Sequence, residues 1–310
     1  QLLNRLDLII PRKTYHLSWL NRTLELGRKT CIMGVVNVTP DSFSDGGKFY
    51  DTDVAIAQGE KLAAAGADII DVGGESTRPF SDPVPVEEEI RRAVPVIEKL
   101  AQRVAIPISI DTTKADVARP ALEAGASIIN DVAALRFDPA LAALAVEYDT
   151  PLILMHMLGE PKSMQVSPEY GNLIEDIRSF LDDAVTRAEK LGVARSKIIV
   201  DPGIGFGKTV THNLLLLKHV QAFASLDLPI LIGPSRKAFI RKILKQTHEE
   251  DIRADLPIVE TGTQAAVAAA ILNGAHIVRV HDVANTVPTV KILDKLLATE
   301  EEGVKSALDS

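Results

Sequence analysis

Cysteine is all but missing: Cys31 is the only one in 310 residues. A single thiol cannot make an intrachain disulfide framework, so the fold relies on its core and the chain fits a reducing compartment. Cys31 itself sits in an apolar run and reads as a core residue rather than a nucleophile. A basic excess is missing too. Lys and Arg number 34 against 42 Asp and Glu, for a net charge of -8, which leaves no electrostatic footprint for nucleic acid. No apolar run reaches the ~18 residues of a membrane span, and no signal-peptide pattern opens the sequence. The expectation is a cytoplasmic protein with no membrane anchor. The length is ample for a large core and ordinary for one α/β barrel.

What is present is a rhythm. From Cys31 onward, short Ile- and Val-rich runs at 31–36, 68–72, 107–110, 127–130, 151–155, 197–200, 229–232 and 277–280 read as strands. Helical periodicity fills the gaps near 53–65, 87–102, 114–124, 138–147, 173–191, 212–224, 236–245, 259–273 and 286–298. Runs apolar on both faces suit a fully covered parallel sheet, and strict alternation of strand and helix argues for a parallel α/β fold. Eight such strands favour a closed (β/α)8 barrel over an open sheet. Gly66, Gly125, Gly192 and Gly274 stand where helices end. Pro95 and Pro120 fall inside helical patterns and are expected to kink or break them. The stretch 246–258 reads as an insertion. Residues 1–29 form an extension in which Tyr15 to Leu20 and Thr23 to Leu26 could pair as a hairpin around Asn21 and Arg22, with Trp19 packed there and the piece capping the barrel's bottom. The barrel then covers 30–298, and 299–310 is a charged tail expected to fray.

In such a barrel the C-terminal ends of all strands share one face, where sites are built. Every exit is polar here: Asn37; Asp71 followed by Glu75, Ser76, Thr77 and Arg78; Asp111; Asn130 and Asp131; Met155 and His156; Asp201; Ser235, Arg236 and Lys237; Arg279, His281 and Asp282. Asp111, Asn130 and Asp201 offer mostly acceptors, suited to a planar, donor-rich ring such as an aminopyrimidine. The alternative for each carboxylate is a buried pair with a neighbouring Arg or Lys. Asn37, Lys237, Arg279 and His281 form a second set. An Arg fork matches phosphate oxygens and Lys supplies a point charge, and barrels often bind phosphate near the last strands.

Two resemblances to nucleotide-binding loops fail. The run Asp201 to Thr209, DPGIGFGKT, has Pro202 where a phosphate-binding loop needs its first Gly, and Lys208 where a dinucleotide fingerprint needs its last. His212, His219, His248 and His276 lack metal-ligand partners at usable spacing.

Eight motifs in order carry a family. NVTPDSFSDGG (Asn37 to Gly47), ESTRP (Glu75 to Pro79), IDTTK (Ile110 to Lys114), IND (Ile129 to Asp131), MHMLGEPKSMQ (Met155 to Gln165), DPGIGFGK (Asp201 to Lys208), SRKAFI (Ser235 to Ile240) and RVHDV (Arg279 to Val283) resemble the dihydropteroate synthase family over about residues 30–297. The resemblance implies a folate-pathway transferase. It would join hydroxymethyl-dihydropterin diphosphate to 4-aminobenzoate by an SN1-like displacement, giving dihydropteroate and diphosphate. By motif, Asp111, Asn130, Asp201 and Lys237 would hold the pterin, with Met155 and Phe206 lining its pocket. Asn37, Arg279 and His281 would hold the diphosphate together with Mg2+, Asn37 serving as a metal anchor. Phe43, Thr77, Arg78 and Pro79 would come from two mobile loops and shape the aminobenzoate pocket. Asp41 is a candidate to help order loop closure, and Lys237, Arg279 and His281 complete the catalytic set. A homodimer through the late helices is also implied.

The chain departs from the family at Phe80, where Gly is usual, at Pro234, and at Ala238, which lacks a hydroxyl. Phe80 bears on how aminobenzoate and its sulfonamide analogues fit. Three other readings compete. A corrinoid-dependent methyltransferase barrel is disfavoured by the intact Arg279 and His281. A non-catalytic pterin binder is disfavoured by the intact loop motifs. A Schiff-base aldolase using Lys237 would show itself by borohydride trapping.

Overall fold

A computed structural model describes residues 12–38, 48–76, 83–160, 164, 168–246 and 251–299, with backbone only for residues 48–51. Two antiparallel strands come first, β1 (Tyr15–Trp19) and β2 (Arg22–Leu26). Eight parallel strands follow: β3 (Cys31–Asn37), β4 (Ile69–Gly73), β5 (Ile108–Asp111), β6 (Ile128–Asp131), β7 (Leu152–Met155), β8 (Ile198–Asp201), β9 (Leu231–Ile232) and β10 (Ile277–Val280). They are ordered β8-β7-β6-β5-β4-β3-β10-β9, and a parallel bridge from Val200 to Ile230 brings the two ends together. The sheet therefore curls into the expected (β/α)8 barrel.

The helices alternate with the strands: α1 (Lys48–Ala64), α2 (Val86–Ala101), α3 (Ala115–Glu123), α4 (Ala140–Glu147), α5 (Leu173–Lys190), α6 (Val210–Lys218), α7 (Ala238–Leu244), α8 (Pro257–Leu272) and α9 (Val283–Leu297). None of the described helices is long and apolar enough to cross a membrane. The glycines expected at helix ends, Gly66, Gly125, Gly192 and Gly274, all have positive φ.

Four details differ from the sequence reading. The hairpin turns at Leu20 and Asn21, so Arg22 already pairs with Trp19. β9 is two residues long, because Pro229 has no N–H to give the ladder and the chain leaves it before Pro234. The helical pattern at 212–224 divides into α6 and a 3-10 turn at Val220–Leu226. Pro257, read as part of an insertion, is the first residue of α8, where a missing N–H costs nothing. Pro95 and Pro120 sit inside α2 and α3 without breaking either.

Strand periodicity explains the core and the site together. Successive residues face opposite sides. One face, with Ile32, Ile70, Ile129, Leu154, Val200 and Val278, packs on the surrounding helices. The other face fills the barrel's lower interior with Cys31, Met33, Ile69, Ile128, Ile153, Ile199, Leu231 and Ile277, and the hairpin's Leu17, Trp19 and Leu26 join that cluster. The extension is thus a plug under the barrel, with Trp19 only 2% exposed. A latch beside it joins distant parts of the chain. Arg12 donates to Thr30 Oγ1, to the Ala275 carbonyl and to Asp294 of α9, and the Thr30 N–H also reaches Asp294. On four of the inward rows a polar residue follows two positions later: Asp71 after Ile69, Asn130 after Ile128, Asp201 after Ile199 and Arg279 after Ile277.

Candidate active site

The upper end of the barrel opens into a cavity of about 1000 Å³. Asn37, Asp111, Phe206, Lys237, Arg279 and His281 line it. Asn130, Met155 and Asp201 lie behind that wall, all of them buried. Asp41, Phe43, Thr77, Arg78 and Pro79, like Phe80, fall outside the described residues.

At the centre is an ion triad. Arg279 Nε donates to Asp71 Oδ2 at 2.6 Å, and a terminal guanidinium nitrogen donates to Asp111 Oδ2 at 2.7 Å. Asn130 Nδ2 donates to the same Asp71 oxygen at 3.1 Å. The four side chains come from β4, β5, β6 and β10, so the pairs form between strands rather than along one. Asp71 was visible as a polar strand exit. Its partner Arg279 lies 208 residues away in sequence, and only barrel closure joins them. The second oxygens, Asp71 Oδ1 and Asp111 Oδ1, are buried with no hydrogen-bond partner. Unpaired buried acceptors are costly. Burial pushes the Asp111 carboxyl up, against the pull of the Arg279 guanidinium and with a further push from Asp71.

Asp201 ends β8 on the other side. Burial pushes its carboxyl up to about 6, opposed by a hydrogen bond from the Gly203 N–H and by the charges of Lys237, Lys208 and Arg279. The turn after it needs glycine. At Gly203, φ is +74° and a Cβ would stand 1.9 Å from the His156 carbonyl oxygen. The turn carries Phe206, whose ring packs with Val132, Met155, Met157 and Met164 in a small apolar cluster. Lys237, just ahead of α7, places its Nζ 3.9 Å from the centre of that ring, a cation–π contact.

His281 follows β10, and its Nδ1 lies 2.9 Å from Ser235 Oγ. Its backbone N–H also donates to Ser235 Oγ, at 3.2 Å. The Ser235 hydroxyl therefore fixes how the imidazole faces the cavity, a role the motif alone did not disclose. Between Ser235 and Lys237, Arg236 adopts a left-handed backbone with φ +57°. Its N–H is held by Thr263 Oγ1 and its carbonyl by Arg241.

Other polar exits turn out to be structural. Asp131 accepts from the Ala133 and Leu135 N–H groups, and Asp282 caps α9. His212 completes the N-terminal cap of α6, and the His276 ring accepts from the Ile230 N–H.

Chemically, the site sets buried acceptors (Asp111, Asn130, Asp201) beside donors (Arg279, His281, Lys237), with an aromatic face at Phe206. That arrangement can take a flat, donor-rich ring with an anionic group attached. No group of three His, Cys, Asp or Glu side chains among the described residues could hold a metal ion. A cation here would take most of its ligands from a bound anion and water, with Asn37 as one protein oxygen. That is how Mg2+ is commonly held beside phosphates, so the residues present fit it.

Comparison with known proteins agrees with this chemistry. Residues 33–281 match the model of the pterin binding enzyme family. A dihydropteroate synthase of Synechocystis sp. is 46% identical over 270 residues, 87% of this chain and 91% of that protein. The Xanthomonas albilineans dihydropteroate synthase solved with 4-aminobenzoic acid superposes with a TM-score of 0.83 at 39% identity, covering 93% of this chain and 100% of that one. The same enzyme in complex with 7,8-dihydropteroate gives 0.81 at 38% identity, covering 92% and 100%.

Proposed function

The chain belongs to the pterin-binding enzymes and, among them, to the dihydropteroate synthases, and on that footing we propose that it condenses hydroxymethyl-dihydropterin diphosphate with 4-aminobenzoate to give dihydropteroate and diphosphate in folate biosynthesis. The observation that carries the reading is the buried, unpartnered Asp111 Oδ1 at a cavity that Arg279 and His281 also line. A ring rich in N–H groups satisfies the first, and a diphosphate satisfies the second.

In this reading Asp111, Asn130 and Asp201 accept from the pterin's amino and ring N–H groups. Lys237 holds the ring beside Phe206, which lines its pocket, and Met155 packs behind it. Asn37, Arg279 and His281 take the diphosphate. As the bond from the methylene carbon to the diphosphate oxygen breaks, negative charge grows on the leaving group and positive charge on the pterin. Arg279 and His281 stabilise the first, and the carboxylates of Asp111 and Asp201 the second. The aminobenzoate nitrogen then bonds to the methylene carbon and loses a proton. No side-chain nucleophile is needed. Bound Mg2+ would add further neutralisation of the diphosphate, with Asn37 among its ligands. Asp41, Phe43, Thr77, Arg78 and Pro79 are assigned to the two loops that enclose the aminobenzoate and exclude water.

The reaction is tested by incubating the purified protein with both substrates and Mg2+ and following dihydropteroate by chromatography. A folded protein that binds pterin yet makes no product refutes it. Chelation is expected to stop turnover, and added Mg2+ to restore it. We place the enzyme in the cytoplasm, in keeping with its one free, buried cysteine. We also assign it a homodimer through α8 and α9, in keeping with the exposed Ile258, Leu272, Ile292 and Leu296 on those helices; light scattering decides this.

A further inference from the structure

Lys208 has no part in the mechanism above, yet it lies at the back of the cavity and is only 3% exposed. Its Nζ donates to the Phe206 carbonyl at 2.9 Å and sits 2.9 Å from Nδ1 of His156. Burial holds the imidazole well below its ordinary range, so the ring is neutral and accepts from Lys208. His156 is itself anchored: its N–H donates to the Asp201 carbonyl at 2.9 Å, and its ring meets Phe180 edge-on at 4.8 Å.

The rest of the turn is pinned just as closely. Asn213 accepts from the Gly205 N–H and donates to the Thr209 carbonyl. Tyr170 donates to the Gly207 carbonyl at 2.8 Å. One short segment, Asp201 to Lys208, thus carries two groups assigned to the pterin, the Asp201 carboxylate and the Phe206 ring. Lys208 ties its end back to β7, which it also touches through Asp201.

Folding alone gives no reason for a lysine here. An amino group this deep is costly to bury unless an anion pairs with it. Its hydrogen-bond partners are a carbonyl and a neutral imidazole; the Asp201 carboxylate acts on it only through space, and burial still holds the amine well below its ordinary range. A methionine would fill the same space without that penalty. A residue that breaks a stability rule beside a binding cavity points to function.

We propose that Lys208 is a positioning residue for the pterin: its amino group locks the Asp201–Lys208 turn so that the Asp201 carboxylate and the Phe206 ring address the same bound ring. The proposal rests on the reaction assigned above. It concerns one substrate only, because the turn carries none of the groups assigned to aminobenzoate.

Lys208→Met tests it. The variant is expected to melt no lower than the wild type, since a poorly paired buried amine is exchanged for an apolar chain. The KM for the pterin diphosphate is expected to rise ~10-fold or more, while the KM for 4-aminobenzoate stays within ~2-fold. Calorimetry with a pterin lacking the diphosphate is expected to report the same loss. A folded variant that binds both ligands as the wild type does overturns the proposal, and so does an equal rise in both KM values. Should the variant fail to fold, Tyr170→Phe decides, because it frees the Gly207 carbonyl without touching a charge. A selective rise of ~3-fold in the pterin KM supports the proposal, and no change overturns it. Wild-type protein that makes no dihydropteroate would sink the reaction instead, and the pterin calorimetry would still judge Lys208.

Discussion

Asp201→Asn is expected to make the free protein more stable while spoiling its site. The Asp201 carboxyl is pushed from an ordinary 3.8 up to about 6. At about 1.4 kcal/mol per pH unit of displacement, ionising it in the folded protein costs roughly 3 kcal/mol more than in the unfolded chain. The sign follows from proton counting. Between the two values the folded state binds more protons than the unfolded, so stability falls as pH rises through that window. The penalty is absent below the unfolded value, about half developed at pH 5 and complete above pH 7. The amide keeps the oxygen that accepts from the Gly203 N–H at 2.7 Å and carries no charge to desolvate. Its own burial takes back part of the gain, leaving about 1–3 kcal/mol, or roughly 2–6 °C in Tm. Thermal unfolding of both proteins at pH 8 and pH 5 measures this. The variant's advantage is expected to be largest at pH 8 and to shrink by about 1.5 kcal/mol at pH 5. Calorimetry on the same samples is expected to show pterin binding weakened about 10- to 100-fold, the worth of a charged hydrogen bond. If the variant is the less stable protein at pH 8, or the difference ignores pH, Asp201 is a stabilising ion-pair partner and the reasoning fails.

Arg279→Ala leaves Asp71 and Asp111 buried without their cation and is expected to cost about 3–5 kcal/mol in urea denaturation; Asp71→Asn in the same chain recovers part of it, and a double-mutant cycle with no coupling refutes the triad. The same Arg279 variant is expected to lose the diphosphate substrate by a larger factor than a pterin without phosphate, and calorimetry giving equal losses would remove Arg279 from the anion. Ser235→Ala frees the His281 imidazole and is expected to lower kcat/KM ~10-fold with a stability change under ~1 kcal/mol; unchanged kinetics would make that bond incidental. Trp19→Ala empties the plug below the barrel and is expected to cost about 3–5 kcal/mol, with both KM values unmoved because the site lies at the other end.

Most of the architecture could be read because it is written in local patterns. Strands buried on both faces leave apolar runs, and helix ends leave glycines. The polar strand exits mark the site in the sequence itself. What stayed hidden was pairing across the barrel. Arg279 read as a free anion clamp, yet in the free protein it is held by Asp71 and Asp111. The structural alternative for Asp111 and the functional one are both met by a single side chain, one oxygen on Arg279 and one unpaired. Ser235 bonds to His281 and Lys208 to His156 only because different strands end side by side, which no spacing encodes. A rule applied to the inward rows would have gone further. Two residues after each buried Ile of the lower layer comes a site residue, and that count marks Asp71 as a member of the set. β9 shows the reverse, where a run of apolar residues overstated a strand that two prolines confine.

The plug and the latch beside it also bear on how the chain comes to be folded at all. Residues 15–26 are made early, yet the surface that buries Trp19 is assembled from strands reaching to Ile277, and Arg12 finds Asp294 across 282 residues. During synthesis the hairpin must wait, its apolar face uncovered, until nearly the whole barrel exists. Contacts of such long sequence range slow folding and leave intermediates prone to aggregate. A segment made before the barrel is therefore secured after it. Its docking waits on strands whose lower residues share its cluster, from Cys31 in β3 to Ile277 in β10.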